Sequence, residues 1–208
     1  MSIDFKKTEK ELYRPKTTPS IIEVPEMLFI AINGKGDPNT SEEYTAAIEL
    51  LYGLSYTIKM GNKSVMEYVV PPLEGFWTVD DNTFKGGGKP ITDKSKFKWT
   101  SLIRQPEFVS EEVFSTAREI LARKKPNLDT SKASLLKINE GLCVQVMHIG
   151  SYDDEPKTIA TMDNYAIENG YVIDINETRR HHEIYLSDPR RVAAEKLKTI
   201  IRHPIKKA

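Results

Sequence analysis

The chain has 208 residues, with 30 Lys plus Arg against 30 Asp plus Glu and so no net formal charge at pH 7. That balance argues against a nucleic-acid binder, which draws much of its affinity from a basic excess that neutralises phosphates. With 39% hydrophobic and 29% charged residues the composition is that of a folded globular chain, and one cysteine, Cys143, excludes an intrachain disulfide.

Residues 1–19 are polar, contain Pro15 and Pro19, and read as an arm laid on the surface. The charged start, Met1–Lys10, has no apolar stretch behind it, and no run approaches the roughly 20 apolar residues of a membrane span. A cytoplasmic protein without membrane contact is the expectation. Met27–Ile32 (MLFIAI) is the first strong strand signal, ended by the turn Asn33-Gly34-Lys35-Gly36. Ser41-Glu42-Glu43 then opens a helix, with Tyr44, Ala47, Ile48, Leu51 and Tyr52 on one stripe. Two strands are predicted next, at Ser55–Lys59 and Val65–Val70. A Gly-rich loop at Gly86-Gly87-Gly88, a strand at Phe97–Arg104 and a helix from the Ser110 cap to about Lys125 follow.

Leu142–Ile149 (LCVQVMHI) restarts the pattern. It is closed by Gly150, and a helix begins at Asp153-Asp154-Glu155-Pro156, where acids favour the positive end of the dipole. That helix carries Ile159, Met162, Tyr165, Ala166 and Ile167 and stops at Asn169-Gly170. Strands at Tyr171–Asp174 and His181–Leu186 come next, and Asp188-Pro189-Arg190 is predicted to open a short helix ending before Pro204. A shift of 114 places Gly36 on Gly150, Ile48 on Met162 and Leu51 on Tyr165. The fold class expected is α+β: two related strand-helix-strand-strand halves joined into one antiparallel sheet of about eight strands. The expected division of one domain over 1–208 is an arm (1–19), a first half (20–85), a connecting strand and helix (86–133) and a second half (134–208).

Some chemical signals dissolve on inspection. Gly86-Gly87-Gly88-Lys89 lacks the spacing and the Ser/Thr of a phosphate loop. In His181-His182-Glu183 only His181 and Glu183 share a strand face, too few ligands for zinc, so no metal and no cofactor are expected. His148 and Cys143 read as core residues.

Alternation along His181–Leu186 puts Ile184 and Leu186 under the helices, and Glu183 and Tyr185 on the uncovered face. If the halves join about a pseudo-twofold, their seam is a cleft. Trp77, Trp99, Tyr152 and Tyr185 wall it, Tyr68 and Glu74 come from the first half, and Glu183 lies inside. Aromatic walls with a few polar groups describe a pocket for a flat organic molecule. Glutamates on such strands are usually solvated and tryptophans usually core, so alternation alone leaves both readings open.

These residues resemble the GyrI-like small-molecule-binding family. The likeness lies in Tyr68–Trp77 (YVVPPLEGFW), Glu140–Tyr152 (EGLCVQVMHIGSY) and the run from His181 through Arg191 to Pro204 (HHEIYLSDPRRVAAEKLKTIIRHP), with support from Phe97–Val109. The resemblance implies an eight-stranded sheet with helices on one side and a ligand groove on the other, and it gives Glu183 the role of the groove glutamate that receives the cation of aromatic drugs. Thr78-Val79-Asp80-Asp81 departs from relatives that carry a second Trp there. The family includes effector domains of transcription regulators, stand-alone binders that sequester toxic compounds or contact DNA gyrase, and hydrolases that open the cyclopropane of DNA-alkylating natural products. About 20 residues precede the fold, too few for a helix-turn-helix module. The expectation is a detoxifying hydrolase that binds hydrophobic aromatic small molecules, with Glu183, its pKa raised by burial, as the base that activates water. Tyr152 or Tyr185 is the hydrogen-bond donor to the conjugated carbonyl, and Trp77 and Trp99 stack on the ligand. The alternative is a non-catalytic sequestering or sensing protein, and gyrase or another protein is a third kind of partner.

Overall fold

The computed structural model describes residues 2–79 and 93–208. The expected Gly86-Gly87-Gly88 loop and the Asp80-Asp81 pair lie outside the described residues. In chain order the elements are α1 (Phe5–Thr8), α2 (Lys10–Tyr13), β1 (Ser20–Val24), β2 (Met27–Lys35), α3 (Glu42–Gly61), β3 (Leu73–Val79) and β4 (Phe97–Gln105). They continue with α4 (Glu111–Lys124), β5 (Ser134–Ile138), β6 (Gly141–Ile149), α5 (Glu155–Glu168), β7 (Tyr171–Ile173), β8 (His181–Tyr185) and β9 (Lys198–Lys207). The strands form one antiparallel sheet in the order β1-β6-β9-β8-β3-β4-β2-β5, with β7 added beside β9. The architecture is α+β.

The shift of 114 carries β2 (27–35) onto β6 (141–149) residue for residue. Gly36 and Gly150, which close these strands, both have positive φ, 101° and 147°. In each half the first strand runs into a long helix, and, with the short β7 set aside, the sheet order is first, third, second: β2-β4-β3 and β6-β9-β8. The halves meet where β3 pairs with β8, Gly75 opposite Glu183 and Trp77 opposite His181.

Helix ends follow the sequence. Ser41 Oγ accepts from Tyr44 N and Ser110 Oγ from Val113 N, each satisfying an otherwise unpartnered first-turn N–H. Ser55–Lys59, however, is the last stretch of α3 rather than a strand. The buried stripe Ala47, Leu50, Leu51, Leu54, Ser55, Ile58 keeps helical spacing to the end and overrides the local β preference of Tyr56, Thr57 and Ile58. Val65–Val70 is likewise not a strand; it makes one isolated bridge, Tyr68 to Ile3. The predicted helix after Asp188 is instead a turn followed by β9, whose residues 199–205 are all buried. Pro204 is tolerated there because its carbonyl accepts from Asp174 N, so its missing N–H points to the same side, beyond the last β8 pair, His182 with Arg202.

The sheet separates two layers. Ile30, Ile32, Trp77, Trp99 and Ile103 pack under α3 and α4, and Val144, Val146 and Ile201 pack under α5. On the other face Phe29, Phe76, Leu102, Ile184 and Ile200 are covered by Leu12 and Tyr13. The arm does run along the surface, but Leu12 and Tyr13 enter the core: Tyr13 is 1% exposed, and Gln145, Met147 and Arg202 all hydrogen-bond to backbone groups between Glu11 and Lys16. Among the described residues no helix is long and apolar enough to cross a membrane.

Candidate active site

β8 directs alternate side chains to opposite faces, and the assignment of those faces is the reverse of the one expected. Ile184 lies under the N-terminal arm. Glu183 and Tyr185 stand on the face that bears the long helices, at the seam between the halves, where α3 brings Tyr44 and α5 brings Glu155.

There the polar groups form a chain. Glu183 Oε1 accepts from His181 Nε2 at 2.8 Å, and Oε2 accepts from the Tyr185 hydroxyl at 2.7 Å. Tyr185 in turn accepts from Trp77 Nε1 at 2.8 Å. A side chain at residue 75 would block that bond, since a Cβ on Gly75 would lie 2.8 Å from Trp77 Nε1 and 3.2 Å from the Tyr185 hydroxyl. Rings surround the acid. Tyr44 packs on Trp77 (6.1 Å between centroids) and edge-on to Trp99 (5.0 Å), and Tyr152 meets Tyr185 edge-on at 5.9 Å. Glu183 keeps 13% of its side-chain surface and Tyr152 is 37% exposed, so the site opens to solvent at the Tyr152 turn.

The electrostatics differ from the expectation. Burial alone would raise the pKa of Glu183, but hydrogen bonds from His181 and Tyr185 and the nearby imidazoles outweigh it and hold the carboxyl below its ordinary 4.5. The raised acid is Glu155, which is 5% exposed. Burial first, and then the Glu183 charge beside it, push its carboxyl well above 4.5. Two carboxyls in contact cannot both ionise cheaply, and here Glu183 is the anion and Glu155 keeps the proton. Burial keeps His181 below 6.5 and therefore neutral, and raises Tyr152 to about 12.

Glu183, Tyr152, Tyr185 and Trp77 are thus brought together. Trp99 lies behind them in the core, 2% exposed, covered by Tyr44. Two expected ligand-binding residues are placed elsewhere. Tyr68 packs on Phe108 beyond the far end of β4. Glu74 alternates with Gly75 and so faces the N-terminal arm, where it accepts from the Tyr13 hydroxyl at 3.3 Å. Its Oε2 is 3.0 Å from His182 Nε2, an ion-pair distance poorly aligned for a hydrogen bond. A groove of about 810 Å³, with Phe5, Met27, Leu28, Met66, Arg104 and Leu135 among its walls, also lies away from the acids.

Sequence reasoning missed Glu155, because an acid in a first helical turn is already explained by the dipole. It missed His203 because that residue fell in a segment read as helix, and Tyr44 because it counted as one more apolar position on α3. The repeat contained a usable signal: the start of a helix that follows a glycine-closed strand lies above the seam in both halves, which makes first-turn residues of α3 and α5 candidates.

Several solved structures are similar to this chain. An uncharacterized conserved protein from Listeria innocua is 45% identical with a TM-score of 0.91, over 99% of this chain and 100% of its own. A hydrolase from Listeria innocua is 44% identical with a TM-score of 0.88, over the same shares. The EcmrR C-terminal domain is 13% identical with a TM-score of 0.54, covering 92% of this chain and 98% of its own, a likeness of fold alone. No curated protein matches the chain. The seam between the two halves, walled by aromatic rings around an acid pair, is the candidate site, and the match over residues 17–206 gives the family: the chain belongs to the GyrI-like small molecule binding domain family.

Proposed function

We propose that this protein binds flat hydrophobic or cationic aromatic molecules at the Glu183 seam and hydrolyses those that carry a strained electrophilic ring, the cyclopropane of DNA-alkylating natural products being the substrate class. The observation that carries the reading is geometric: the Glu183 and Glu155 carboxyls meet at the seam under Tyr44, Tyr152, Tyr185 and Trp77, and their contact pushes the two pKa values apart. The hydrolase from Listeria innocua, similar over nearly the whole chain, supports a hydrolytic reaction.

The chemistry balances within the pair. The ligand enters as Tyr152 swings off Tyr185, and it lies against Tyr152 and Tyr44 with Trp77 buried behind them. A water beside Glu183 attacks the ring carbon: its oxygen forms the new C–O bond, its proton passes to Glu183, and the C–C bond of the ring breaks. The electron pair moves into the conjugated carbonyl, where the Tyr152 hydroxyl donates a hydrogen bond to the developing negative charge. Glu155 supplies the proton that neutralises the product, and proton exchange across the Glu155–Glu183 contact restores the starting state. Ring strain lowers the barrier, so a weakly basic carboxylate suffices.

Turnover of a cyclopropane-bearing alkylator, followed by mass spectrometry of the ring-opened product, tests this. Glu183→Gln is expected to lower the rate by about 10²-fold or more, within the usual range for a general base, while ligand quenching of tryptophan fluorescence persists. Full turnover in that variant would remove Glu183 from the reaction. Stoichiometric uptake without product by the unaltered protein would favour the second reading, a non-catalytic binder, which the ionised Glu183 inside an aromatic ring supports through its attraction for cations.

A further inference from the structure

The hydrogen-bond chain does not end at His181. His181 Nδ1 lies 2.7 Å from His203 Nε2, and His203 Nδ1 lies 2.7 Å from Asp163 Oδ1. Asp163, His181 and His203 are buried, at 3%, 0% and 0% exposure. Their donor directions follow from the partners. A carboxylate only accepts, so His181 donates to Glu183 from Nε2 and, being neutral, accepts at Nδ1. Three hydrogen bonds in series between two carboxylates need three N–H groups over the two rings, one more than two neutral imidazoles carry, with His203 Nε2 donating to His181 and Nδ1 facing the Asp163 carboxylate. The chain runs one way: Asp163, His203, His181, Glu183. Both of its ends meet the same helix, because α5 carries Glu155 in its first turn and Asp163 eight residues on, roughly two turns away on the same side.

We propose that Asp163, His203 and His181 are positioning residues that fix Glu183 as the anion of the carboxyl pair and so leave the proton on Glu155. This rests on the reading of Glu183 and Glu155 as the working pair. The alternative tautomer of His181, protonated on Nδ1, presents a lone pair to Glu183, and a lone pair beside an anion is repulsive; Glu183 would then take the proton and become the donor. Two neutral rings would allow that arrangement, with His203 donating only to Asp163; the Asp163 charge opposes it by favouring a third N–H on the His181–His203 pair, so that both end carboxylates accept. Other groups facing Glu183 do not make this selection. Tyr185 on β8 donates in either state, Tyr44 on α3 and Tyr152 before α5 are neutral phenols, Glu155 is the competitor, and His182 acts from across the sheet.

The test uses the full chain with ¹³C-labelled glutamate, the two carboxyl signals being assigned with Glu183→Gln and Glu155→Gln. Unaltered protein is expected to show Glu183 ionised and Glu155 neutral near pH 6. Asp163→Asn removes the charge and keeps the shape; it should move the Glu183 signal toward the neutral form and raise its midpoint by about one pH unit or more, the size of a lost charge partner. The acid limb of any turnover profile should rise with it. In a His181→Gln background, where no tautomer can be selected, Asp163→Asn should add no further shift; a merely structural role would add in both backgrounds. His203→Gln breaks the chain at its middle and provides the same readout should Asp163→Asn not fold. A folded Asp163→Asn or His203→Gln protein with both carboxyl signals and midpoints unchanged overturns the proposal. Because the readout needs no substrate, a shifted Glu183 in a protein that opens no ring would retain the relay and reject only the hydrolase reading.

Discussion

Gly34 and Gly75 sit opposite Trp99 and Glu183 in the ladder, and each supplies space for an indole. The two absences are not equivalent. A Cβ at Gly34 would fall inside the Trp99 ring, which is held from the other side by Tyr44, so neither backbone nor ring can give way. A Cβ at Gly75 would press on the Trp77 nitrogen and the Tyr185 hydroxyl, side chains nearer the opening that can turn aside. Gly34→Ala is therefore expected to cost about 3 kcal/mol, the upper end for overpacking, and Gly75→Ala about 1 kcal/mol. The order reverses for function: Gly75→Ala separates Trp77 from Tyr185 and leaves Glu183 with a reoriented donor, so it should impair the site more than the fold. Urea denaturation paired with ligand quenching of Trp fluorescence checks both halves of this claim. Equal stability losses in the two variants would show that the strand relaxes around Trp99.

β9 shows how an element can be illegible locally and central globally. Asp188-Pro189-Arg190 does form the turn its residues specify, with Asp188 accepting from Arg190 N, yet no α-helix follows, only a single 3-10 turn at Ala194–Lys196. Thr199–Ile205 is buried on both faces, and because it mixes Ile200, Ile201 and Ile205 with Arg202, His203 and Pro204 it shows no period of two from sequence. Helices α4 and α5 were legible because caps and terminal charges act within a few residues of where they are read. The alternation of β8 was legible too, but which face would be covered was not, since that depends on where the N-terminal arm docks. Arg202 joins these levels. It donates to Glu140 at 2.9 Å, to Gln145 at 3.1 Å and to the Leu12 carbonyl at 3.1 Å, while Glu140 also sits 3.0 Å from His182 Nδ1. Removing it leaves a buried carboxylate with half its compensation and unpins the arm. Arg202→Met should cost about 3–5 kcal/mol, the usual penalty for breaking a buried pair, and should raise amide exchange in residues 3–16. Protection of the arm unchanged in that variant would mean that Leu12 and Tyr13 hold it by burial alone.

At the scale of the molecule, successive residues of β8 feed opposite faces of one seam: His181 and Glu183 the acid pair, His182 the cluster of Glu74, Glu140 and Arg202. Both networks tie stability to pH, and their signs can be combined. His182 is buried, which disfavours its charge, but Glu140 and Glu74 prevail and raise it from 6.5 to about 9. A base raised on folding contributes fully below its unfolded value, and the contribution is lost as pH climbs through the folded one; here the window is 6.5 to about 9 and the loss is on the order of 3 kcal/mol. Glu155, raised above 4.5, acts in the same direction, because the unfolded chain releases its proton first as pH increases. The acid side has the opposite slope. His181 is lowered from 6.5 by burial, so acid below that value charges the unfolded chain before the folded one. Glu140 is opposed by burial but held down to about 2 by His182 and Arg202, and its contribution is lost as pH falls from 4.5 toward 2. Stability should therefore peak at about pH 6 and fall on both sides, which differs from the broad plateau of a chain with only surface ion pairs. Unfolding free energies from urea titrations at intervals between pH 4 and 9 measure the curve. Replacing His182 with Gln should flatten the alkaline limb while leaving the acid limb in place. A stability that rises from pH 7 to 9 in the unaltered protein would mean that His182 is neutral in the folded state and that the rear of the seam carries an uncompensated negative charge.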